Sequence, residues 1–353
     1  MTIARSGRFV VLFSLLTYCF SLQESPKTTS EARFQPWVKK GVILQPGFAG
    51  TLSSSGLSAP TVVRMKDGRL RLYFWAREKG FGYIYAAEAS PKDIFNWKLV
   101  SVLPMLGPTP GDKLNDHGPS FPWVIERDDG SWLMYYCVWG SWAAPGEISN
   151  RTDVAISHDQ GITWTLLKEP MLALGPPKSH DAGLTGSVDV MKIGPKEYQM
   201  WYTGCSHYVP FGEIKRGICN IGHATSEDAV VWNKDPDAVL APRLDTVSPY
   251  EAVVSKPSVL LLNGVYHMWF SVFSMGEVRG YRLGYATSKD GQHWHRFFDK
   301  EVLPLTIGGF DSRNQSYANV IEEGDELWMF YVGNDFGATG IGLATMKKKE
   351  LRD

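Results

Sequence analysis

The hydrophobic pattern of the chain repeats in five units, each built around a run of apolar residues rich in aromatic side chains. Apolar runs of this length and composition predict β-strands. A shorter apolar run and a turn rich in Gly, Asp or Asn precede each aromatic run, which predicts a β-hairpin. The five aromatic runs are RLRLYFWA, SWLMYYCVWG, EYQMWYTG, VYHMWFSVF and ELWMFYVGN.

A turn of the pattern Ser-x-Asp-x-Gly-x-Thr-Trp follows the third predicted strand of four units. Its copies are Ser90–Trp97, Ser157–Trp164, Ser226–Trp232 and Ser288–Trp294. In the second copy, Asp159 can accept hydrogen bonds from backbone amides, Gly161 can adopt a positive φ, and Trp164 can pack against a neighbouring unit. We therefore interpret this repeat as a structural turn rather than a catalytic motif.

Each unit thus predicts an antiparallel meander of four strands. Five such meanders predict an all-β protein, a five-bladed β-propeller of four-stranded antiparallel blades. The fifth unit, which ends in GLATMKKKEL, runs out of residues before its outer strand. We expect the segment WVKKGVILQ near the N-terminus to supply that strand and to close the ring.

The first residues predict a secretory signal peptide. Two arginines precede an apolar stretch that leads to a predicted cleavage after Ser21. The predicted organisation is a signal peptide at residues 1–21, a linker at 22–35 and a catalytic propeller domain at 36–353, in a secreted or periplasmic protein. The apolar stretch is shorter than the roughly 20 residues of a membrane-spanning helix, so no membrane span is expected.

Three cysteines follow the predicted cleavage site. Cys205 and Cys219 flank the segment SHYVPFGEIKRGI, which is predicted to connect two antiparallel strands, and an oxidising compartment would allow them to form a disulfide. Cys137 lies inside an aromatic strand and is predicted to be a small buried residue.

The composition narrows the class of partner. The 44% of hydrophobic and 21% of charged residues are typical of a globular chain. A net charge of -1 does not favour binding to nucleic acid. Aromatic residues reach 13%, and Trp and Tyr offer flat faces on which sugar rings stack. We expect a monomer with a carbohydrate substrate and no organic cofactor or metal, and we interpret His293 and His295 as an exposed pair rather than a metal site.

Acidic residues precede the predicted inner strands of four units, and these loops should converge on the propeller axis. Carboxylates gathered in one pocket can shift each other's pKa, so that an acid and a base coexist for glycoside hydrolysis. The candidate catalytic residues are Asp116, Asp181, Glu251 and Asp311. The candidate substrate-binding residues are His117, Lys256, Arg313, Trp75, Trp139 and Tyr202.

The repeated meanders, the turn at Ser288–Trp294 and the segment GPSFPWVIERDDGSWLMYY resemble the five-bladed glycosidases of the arabinanase and β-xylosidase family and its invertase-like relatives. The resemblance implies a glycosidase with a carboxylate acid and base and an inverting reaction. The family's carboxylate of blade two carries over onto Asp116. At the position of its base, blade one has Ser58, and blade three has Asp181 where the family has a Glu.

Two alternatives stay open. The Asp turn also matches sialidases, which grip a sugar carboxylate with several arginines, and Arg77, Arg216, Arg282 and Arg313 are available for that role. The loss of the blade-one carboxylate is also compatible with a carbohydrate-binding propeller that has no catalytic activity.

Overall fold

The computed structural model describes residues 36–140, 150–167, 171–212, 214–243, 251–275, 280–297 and 302–351. The predicted signal peptide and linker lie outside the described residues, so the domain boundaries stay predictions. The strands in chain order are β1 (Val38–Leu44), β2 (Gly56–Arg64), β3 (Leu70–Glu78), β4 (Phe81–Ala89), β5 (Lys98–Leu99), β6 (Gly118–Glu126), β7 (Trp132–Trp139), β8 (Asn150–Ser157), β9 (Thr165–Leu166), β10 (Leu184–Gly194), β11 (Glu197–Phe211), β12 (Ile214–Ser226), β13 (Asn233–Lys234), β14 (Glu251–Leu262), β15 (Val265–Ser274), β16 (Gly280–Ser288), β17 (Trp294–Phe297), β18 (Ser316–Glu323), β19 (Glu326–Val332) and β20 (Ile341–Lys347). A one-turn helix α1 (Asn334–Gly337) lies between β19 and β20.

The strands form antiparallel four-stranded meanders, as the sequence pattern predicts. Strands β2 to β5 form one sheet, β6 to β9 a second, and β18 to β20 a third together with β1. Strands β10 to β13 and β14 to β17 are two further meanders, which a single parallel pair, Cys219 with Val253, joins into one larger sheet. This all-β arrangement is consistent with a β-propeller.

The N-terminal strand completes the last meander. Strand β1 pairs antiparallel with β20, with Val38 opposite Thr345 and Leu44 opposite Ile341. The prediction that the segment WVKKGVILQ supplies the missing outer strand is confirmed. The edge of β20 is therefore covered rather than left open.

Edge-to-face aromatic pairs connect each meander to its neighbour. In each pair, a Trp packs against an aromatic residue on the second strand of the neighbouring meander, with ring centroids 5.9 to 6.4 Å apart and ring planes 68° to 84° apart. This T-shaped geometry is favourable for aromatic rings. The pairs are Trp164 with Tyr73, Trp232 with Tyr135, Trp294 with Trp201, Trp37 with Trp269, and Trp97 with Phe330.

The first strand of each meander is called its inner strand, namely β2, β6, β10, β14 and β18. All five inner strands contain a β-bulge. One residue of each inner strand has a left-handed φ of 46° to 53°, which is uncommon for residues other than Gly. The pairing register with the second strand shifts at the same place in each meander. The residues with this φ are Ala59, Phe121, Ser187, Lys256 and Tyr317.

Two residues after each bulge, a side chain hydrogen-bonds the backbone of another inner strand. Thr61 donates to the carbonyl of Pro122 at 2.6 Å. Asn319 accepts from the amide of Val62 at 2.9 Å, which connects the last meander to the first. The remaining bonds are Trp123 Nε1 to Val190 O, Val259 N to Asp189 Oδ2, and Val320 N to Ser258 Oγ.

The Asp turns have the structural role that the sequence predicts. Asp159 accepts from the amides of Ile162 and Thr163 and from the Thr163 hydroxyl, and Gly161 has a φ of 77°. A Cβ on Gly161 would meet the Tyr73 hydroxyl at 2.3 Å, so the close approach of the neighbouring meander requires Gly here. Burial opposes ionisation of Asp159, but these hydrogen bonds outweigh it and lower its pKa to about 2.

The first prediction concerns the aromatic contact that the N-terminal strand provides. Trp37→Ala should reduce the free energy of unfolding by about 3–5 kcal/mol, because it empties a buried position against Trp269. Urea unfolding followed by circular dichroism measures the change. The matched control, Phe95→Ala, removes a ring that is 54% exposed and should stay within about 0.5 kcal/mol of the wild type. Equal losses in the two variants would contradict the proposed role.

The second prediction concerns the pH dependence of the Asp turn. The folded-state pKa of Asp159 lies below the ordinary value of 3.8, so its stabilising effect is present above pH 3.8 and is lost as the pH falls through about 2. Asp159→Asn should therefore be less stable than the wild type at pH 7, and the difference should shrink between pH 4 and 2. Thermal unfolding across this range is the measurement. A stability difference between the two proteins that grows on acidification would contradict the prediction.

Candidate functional site

A cavity of about 180 Å³ lies where several inner strands begin. Phe121, Leu184, Val253 and Tyr317, each in the first half of its inner strand, contribute to its lining. The prediction that the starts of the inner strands converge on a pocket is therefore supported. The lining comes from the strands themselves rather than from the loops before them.

Aromatic rings form one wall of this cavity. Trp75 and Trp139 both line it, with ring centroids 6.4 Å apart and planes inclined by 10°. Phe121 packs 5.4 Å from Trp75 and 4.9 Å from Tyr317. Trp75 and Trp139 are thus placed as the sequence analysis expects for sugar-stacking residues. Their contact with a sugar stays a prediction.

The polar groups of the cavity come from other strands. Asn150, Ser187, Thr203, Ser255 and Tyr208 contribute to the lining. Within the described residues, the Asn150 Oδ1 and Ser255 Oγ atoms are buried and have no hydrogen-bond partner. Buried polar atoms are normally hydrogen-bonded, so these two atoms are candidates for contacting a bound polar molecule.

The disulfide braces the part of the wall that carries Arg216 and Tyr208. Cys205 and Cys219 face each other on β11 and β12 and are joined, as predicted. The intervening segment is not a plain connection, because both strands continue beyond the cysteines and pair Val209 with Arg216. Arg216, Tyr208 and both cysteines line the cavity.

Two of the four predicted carboxylates make the same pair of contacts, an ion pair with a lysine and a hydrogen bond from a tyrosine hydroxyl. Asp181 forms an ion pair with Lys234 at 2.6 Å and accepts from the Tyr202 hydroxyl at 3.0 Å. Asp311 forms an ion pair with Lys39 and accepts from the Tyr331 hydroxyl at 3.1 Å. In both cases the lysine lies on the outer strand of the meander that the aspartate precedes. Burial opposes their ionisation, but the hydrogen bonds hold the pKa of both carboxyls below the ordinary value.

Glu251 has a comparable environment in the fourth meander. Its two oxygens accept from Arg296 on β17 at 2.7 and 2.9 Å, and Arg243 is 3.5 Å away. Glu251 is 3% exposed, so this pair is buried. Asp116 is partly exposed and His117 is exposed, and the ring of His117 packs against Phe81. The backbone amide of His117 donates to the carbonyl of Trp139, so Asp116 lies next to the residues that flank the cavity.

The four predicted catalytic carboxylates are not gathered in the lining of this cavity, and their catalytic roles stay predictions. No described carboxylate lines the cavity. The physical reason is that a buried carboxylate needs a cation, and Asp181, Glu251 and Asp311 find theirs on three separate outer strands.

The predicted substrate-binding residues outside the aromatic wall are also placed differently. Lys256 is fully buried, with its ammonium nitrogen 4.9 Å from the centre of the Trp123 ring, and it does not line the cavity. Arg313 is exposed and pairs with Asp335. Tyr202 is buried against Asp181, and His117 does not line the cavity either. Four of the six predicted binding residues therefore do not line this cavity, and their role in substrate binding stays a prediction.

The sialidase alternative requires several arginines in one pocket. Of the four candidates, Arg216 lines the cavity. Arg77 donates to the carbonyls of Ser55, Asp335 and Phe336, which holds the α1 segment. Arg282 donates to the carbonyls of Tyr281 and Arg313. The structure therefore brings one of these arginines to the cavity and does not form an arginine cluster there.

Sequence reasoning missed Asp189, which lies inside β10. It is 1% exposed and accepts from the amide of Val259 at 2.8 Å. Burial raises its pKa to about 7, with the charge of Lys256 acting in the opposite direction. Burial likewise lowers the pKa of Lys256 to about 8. The signal was available, because an Asp in the middle of the apolar run GSVDV is unusual for a strand.

A wider surface groove of about 760 Å³ lies at the outer edge of the third and fourth meanders and includes His293 and His295. His293 pairs with Asp290 at 2.7 Å, and His295 packs edge-on against Phe297. We favour the smaller cavity, called the central cavity below, as the candidate functional site because its walls come from several meanders.

Across the described ranges, no group of three or more His, Cys, Asp or Glu side chains is arranged to hold a metal ion. No described helix is long and apolar enough to cross a membrane.

Comparisons with known structures support the fold class. A glycoside hydrolase is 18% identical with a TM-score of 0.68, over 90% of this chain and 94% of that one. A glycosyl hydrolase from Bacteroides ovatus gives a TM-score of 0.66 at 15% identity, over 90% and 95%. A thermostable family-43 glycoside hydrolase gives 0.64 at 16% identity, over 87% and 92%. The resemblance to the propeller glycoside hydrolases is thus confirmed at the level of the fold.

The comparisons by sequence do not indicate an activity for this chain. No protein-family model matches the chain. Two uncharacterized proteins, from two strains of Mycobacterium tuberculosis, are each 28% identical over 318 residues, which is 88% of this chain and 99% of theirs.

The third prediction tests the structural contribution of Glu251. Glu251→Gln should lower the free energy of unfolding by about 3–5 kcal/mol, because it removes the buried ion pair between Glu251 and Arg296. The control Glu322→Gln removes an exposed pair with Lys348 and should cost less than about 1 kcal/mol. Denaturant unfolding of both variants is the measurement. A Glu251→Gln protein as stable as the wild type would contradict the structural role.

Proposed function

We propose that this chain is a glycosidase that cleaves a glycosidic bond in an oligosaccharide or polysaccharide, with the sugar bound in the central cavity. The observation that carries the proposal is the wall formed by Trp75 and Trp139, next to polar groups from Asn150 and Ser255. Flat aromatic faces with a few convergent polar atoms are typical of small-molecule sites. The similarity in fold to glycoside hydrolases supports the same activity.

The proposal includes a closed five-bladed propeller, in which each of the five meanders is one blade. The support is the run of aromatic pairs and inner-strand hydrogen bonds that leads from meander to meander and, through Asn319 and Val62, from the last to the first. The domain would begin near residue 36, after a signal peptide and linker, in a secreted or periplasmic monomer.

For the chemistry we propose Asp116 and Glu251 as the carboxylate pair, with inversion of configuration. Neither carboxyl group lines the cavity, so they would act on the bond that joins the sugar in the cavity to the next sugar outside it. Asp116 precedes the strand pair that contains Trp139, and Glu251 lies two residues before the cavity-lining Val253. Asp181 and Asp311 are the weaker candidates. Each makes the same contacts with a lysine and a tyrosine, and a single active site would not need this arrangement in two meanders. An inverting pair requires carboxyl groups about 6.5–9.5 Å apart.

A second candidate function is carbohydrate binding without catalysis. Ser58, at the position of the family's base, is buried opposite Trp75 on the neighbouring strand, and its Oγ has no hydrogen-bond partner among the described residues. A serine there cannot serve as a carboxylate base, which favours this alternative.

The experiment is a hydrolysis screen of oligosaccharides and aryl glycosides, with products resolved by anomer using NMR. A glycosidase releases reducing ends, and an initial product of opposite anomeric configuration identifies inversion. Asp116→Asn and Glu251→Gln, each checked for folding, should lose activity per folded molecule, whereas Glu322→Gln should not. Bound but uncleaved sugars across the screen would support the binding function instead, and full activity in both amide variants would reject the proposed pair.

The fourth prediction tests the aromatic wall. Trp75→Ala and Trp139→Ala should each weaken sugar binding by about tenfold, because each removes one stacking face from the cavity. Titration calorimetry with the best ligand from the screen measures this loss. Phe95→Ala, whose ring is exposed away from the cavity, is the control and should bind normally. Unchanged affinity in both tryptophan variants would place the sugar elsewhere.

A further inference from the structure

Arg216 is the one described side chain with a full charge that lines the central cavity. It lies on β12, in the part of the β11–β12 hairpin that continues beyond the Cys205–Cys219 disulfide, and it is half-buried. Its guanidinium carbon is 4.3 Å from the centre of the Phe273 ring and 5.5 Å from that of Phe211. Stacking on two aromatic rings restricts the orientation of the guanidinium plane, so the group is held in place before any ligand arrives.

This arginine has no acidic partner within the described chain. Neither an ion pair nor a hydrogen bond involves its side chain there, and its Nε atom is buried without a partner. Two buried arginines differ from it in this respect, since Arg296 is paired with Glu251 and Arg71 with Glu88. A partly desolvated guanidinium without a counter-charge is costly, and an anion that enters the cavity would supply one.

The surroundings of Arg216 also favour an anion. Tyr281 and Tyr317 line the same cavity, and burial raises the pKa of both phenols, although the charge of Arg216 opposes that rise. Both hydroxyls therefore stay protonated at neutral pH, and because the Tyr317 hydroxyl donates to that of Tyr281, the Tyr281 hydroxyl is the one that can donate to a ligand. No described carboxylate lines the cavity to repel an incoming negative group.

We propose that the central cavity binds a sugar that carries a carboxylate, such as a uronic acid, and that Arg216 pairs with that carboxylate while Trp75 and Trp139 stack on the ring. The planar fork of a guanidinium matches a carboxylate with two parallel hydrogen bonds, which a neutral hydroxyl cannot replace. This inference rests on the proposed function and names its substrate class.

The size of the cavity limits what enters it. Its 180 Å³ is below the roughly 300–1,000 Å³ of pockets for drug-sized ligands. A single acidic sugar residue fits this scale better than a long segment of polysaccharide. The acidic residue would therefore occupy the cavity alone, and any further sugars would extend from its mouth.

The test measures binding of matched ligands to the full chain by titration calorimetry. The ligands are oligosaccharides that end in glucuronic or galacturonic acid, the same compounds as methyl esters, their neutral counterparts, and glucose 6-sulfate. We expect the acids to bind about tenfold to a hundredfold more tightly than their esters, because esterification removes the charge and retains the shape. In Arg216→Gln this preference should disappear, whereas Arg216→Lys should keep part of it.

The control variant Arg64→Gln removes an exposed arginine paired with Glu323, outside the cavity lining, and should bind like the wild type. The comparison of acid with ester in the wild type stands even if Arg216→Gln does not fold. Equal binding of acid, ester and neutral sugar would overturn the inference and leave sugar binding intact. Preference for the sulfated sugar would overturn the carboxylate assignment. Binding of none of these sugars would overturn the proposed function as well, whereas tight binding of the acid without hydrolysis would keep the inference and reject the glycosidase.

Discussion

The edge-to-face contact between a tryptophan and an aromatic ring of the neighbouring meander is the interaction on which the rest of the structure depends. It repeats with nearly the same geometry at Trp164 and Tyr73, at Trp294 and Trp201, and at the other three junctions. A meander alone exposes two large apolar faces, and these contacts help to bury them against the adjoining meanders. The inner strands are thereby brought together around one cavity. Bulge residues such as Phe121 and Tyr317 form part of its wall.

Much of the fold could be predicted because its signals are local and repeated. Alternation of apolar residues, Asp-Gly turns and the Ser-x-Asp pattern all lie within a few residues of the structure that they specify. Even the role of β1 followed from counting, since one meander lacked its outer strand. The bulges were not predicted. Residues as different as Ala59 and Lys256 adopt the same left-handed conformation, so tertiary packing rather than residue type sets it.

The site was harder to predict because the partners of its charged residues are distant in sequence. An acid before an inner strand can point to the cavity or to the outer strand, and the choice depends on where a cation lies. Lys39 and Asp311 are 272 residues apart along the chain, so no local pattern announces their pairing. The sequence predicts Arg216 in a connection between strands, whereas in the structure both strands continue past the cysteines and bring Arg216 to the cavity. The strands that carry Trp75 and Trp139 place both residues at the cavity, and their contact with a sugar stays a prediction.

The strand that completes the last sheet comes from the opposite end of the described chain, with Val38 paired to Thr345. Contacts between such distant residues form late in folding, because the entropy of closing a long loop must be lost first. Until then β20 presents an unpaired edge, which is a template for intermolecular strand addition. A newly made chain would thus pass through an interval of aggregation risk that ends when its two ends meet, and its yield would depend on how quickly they find each other.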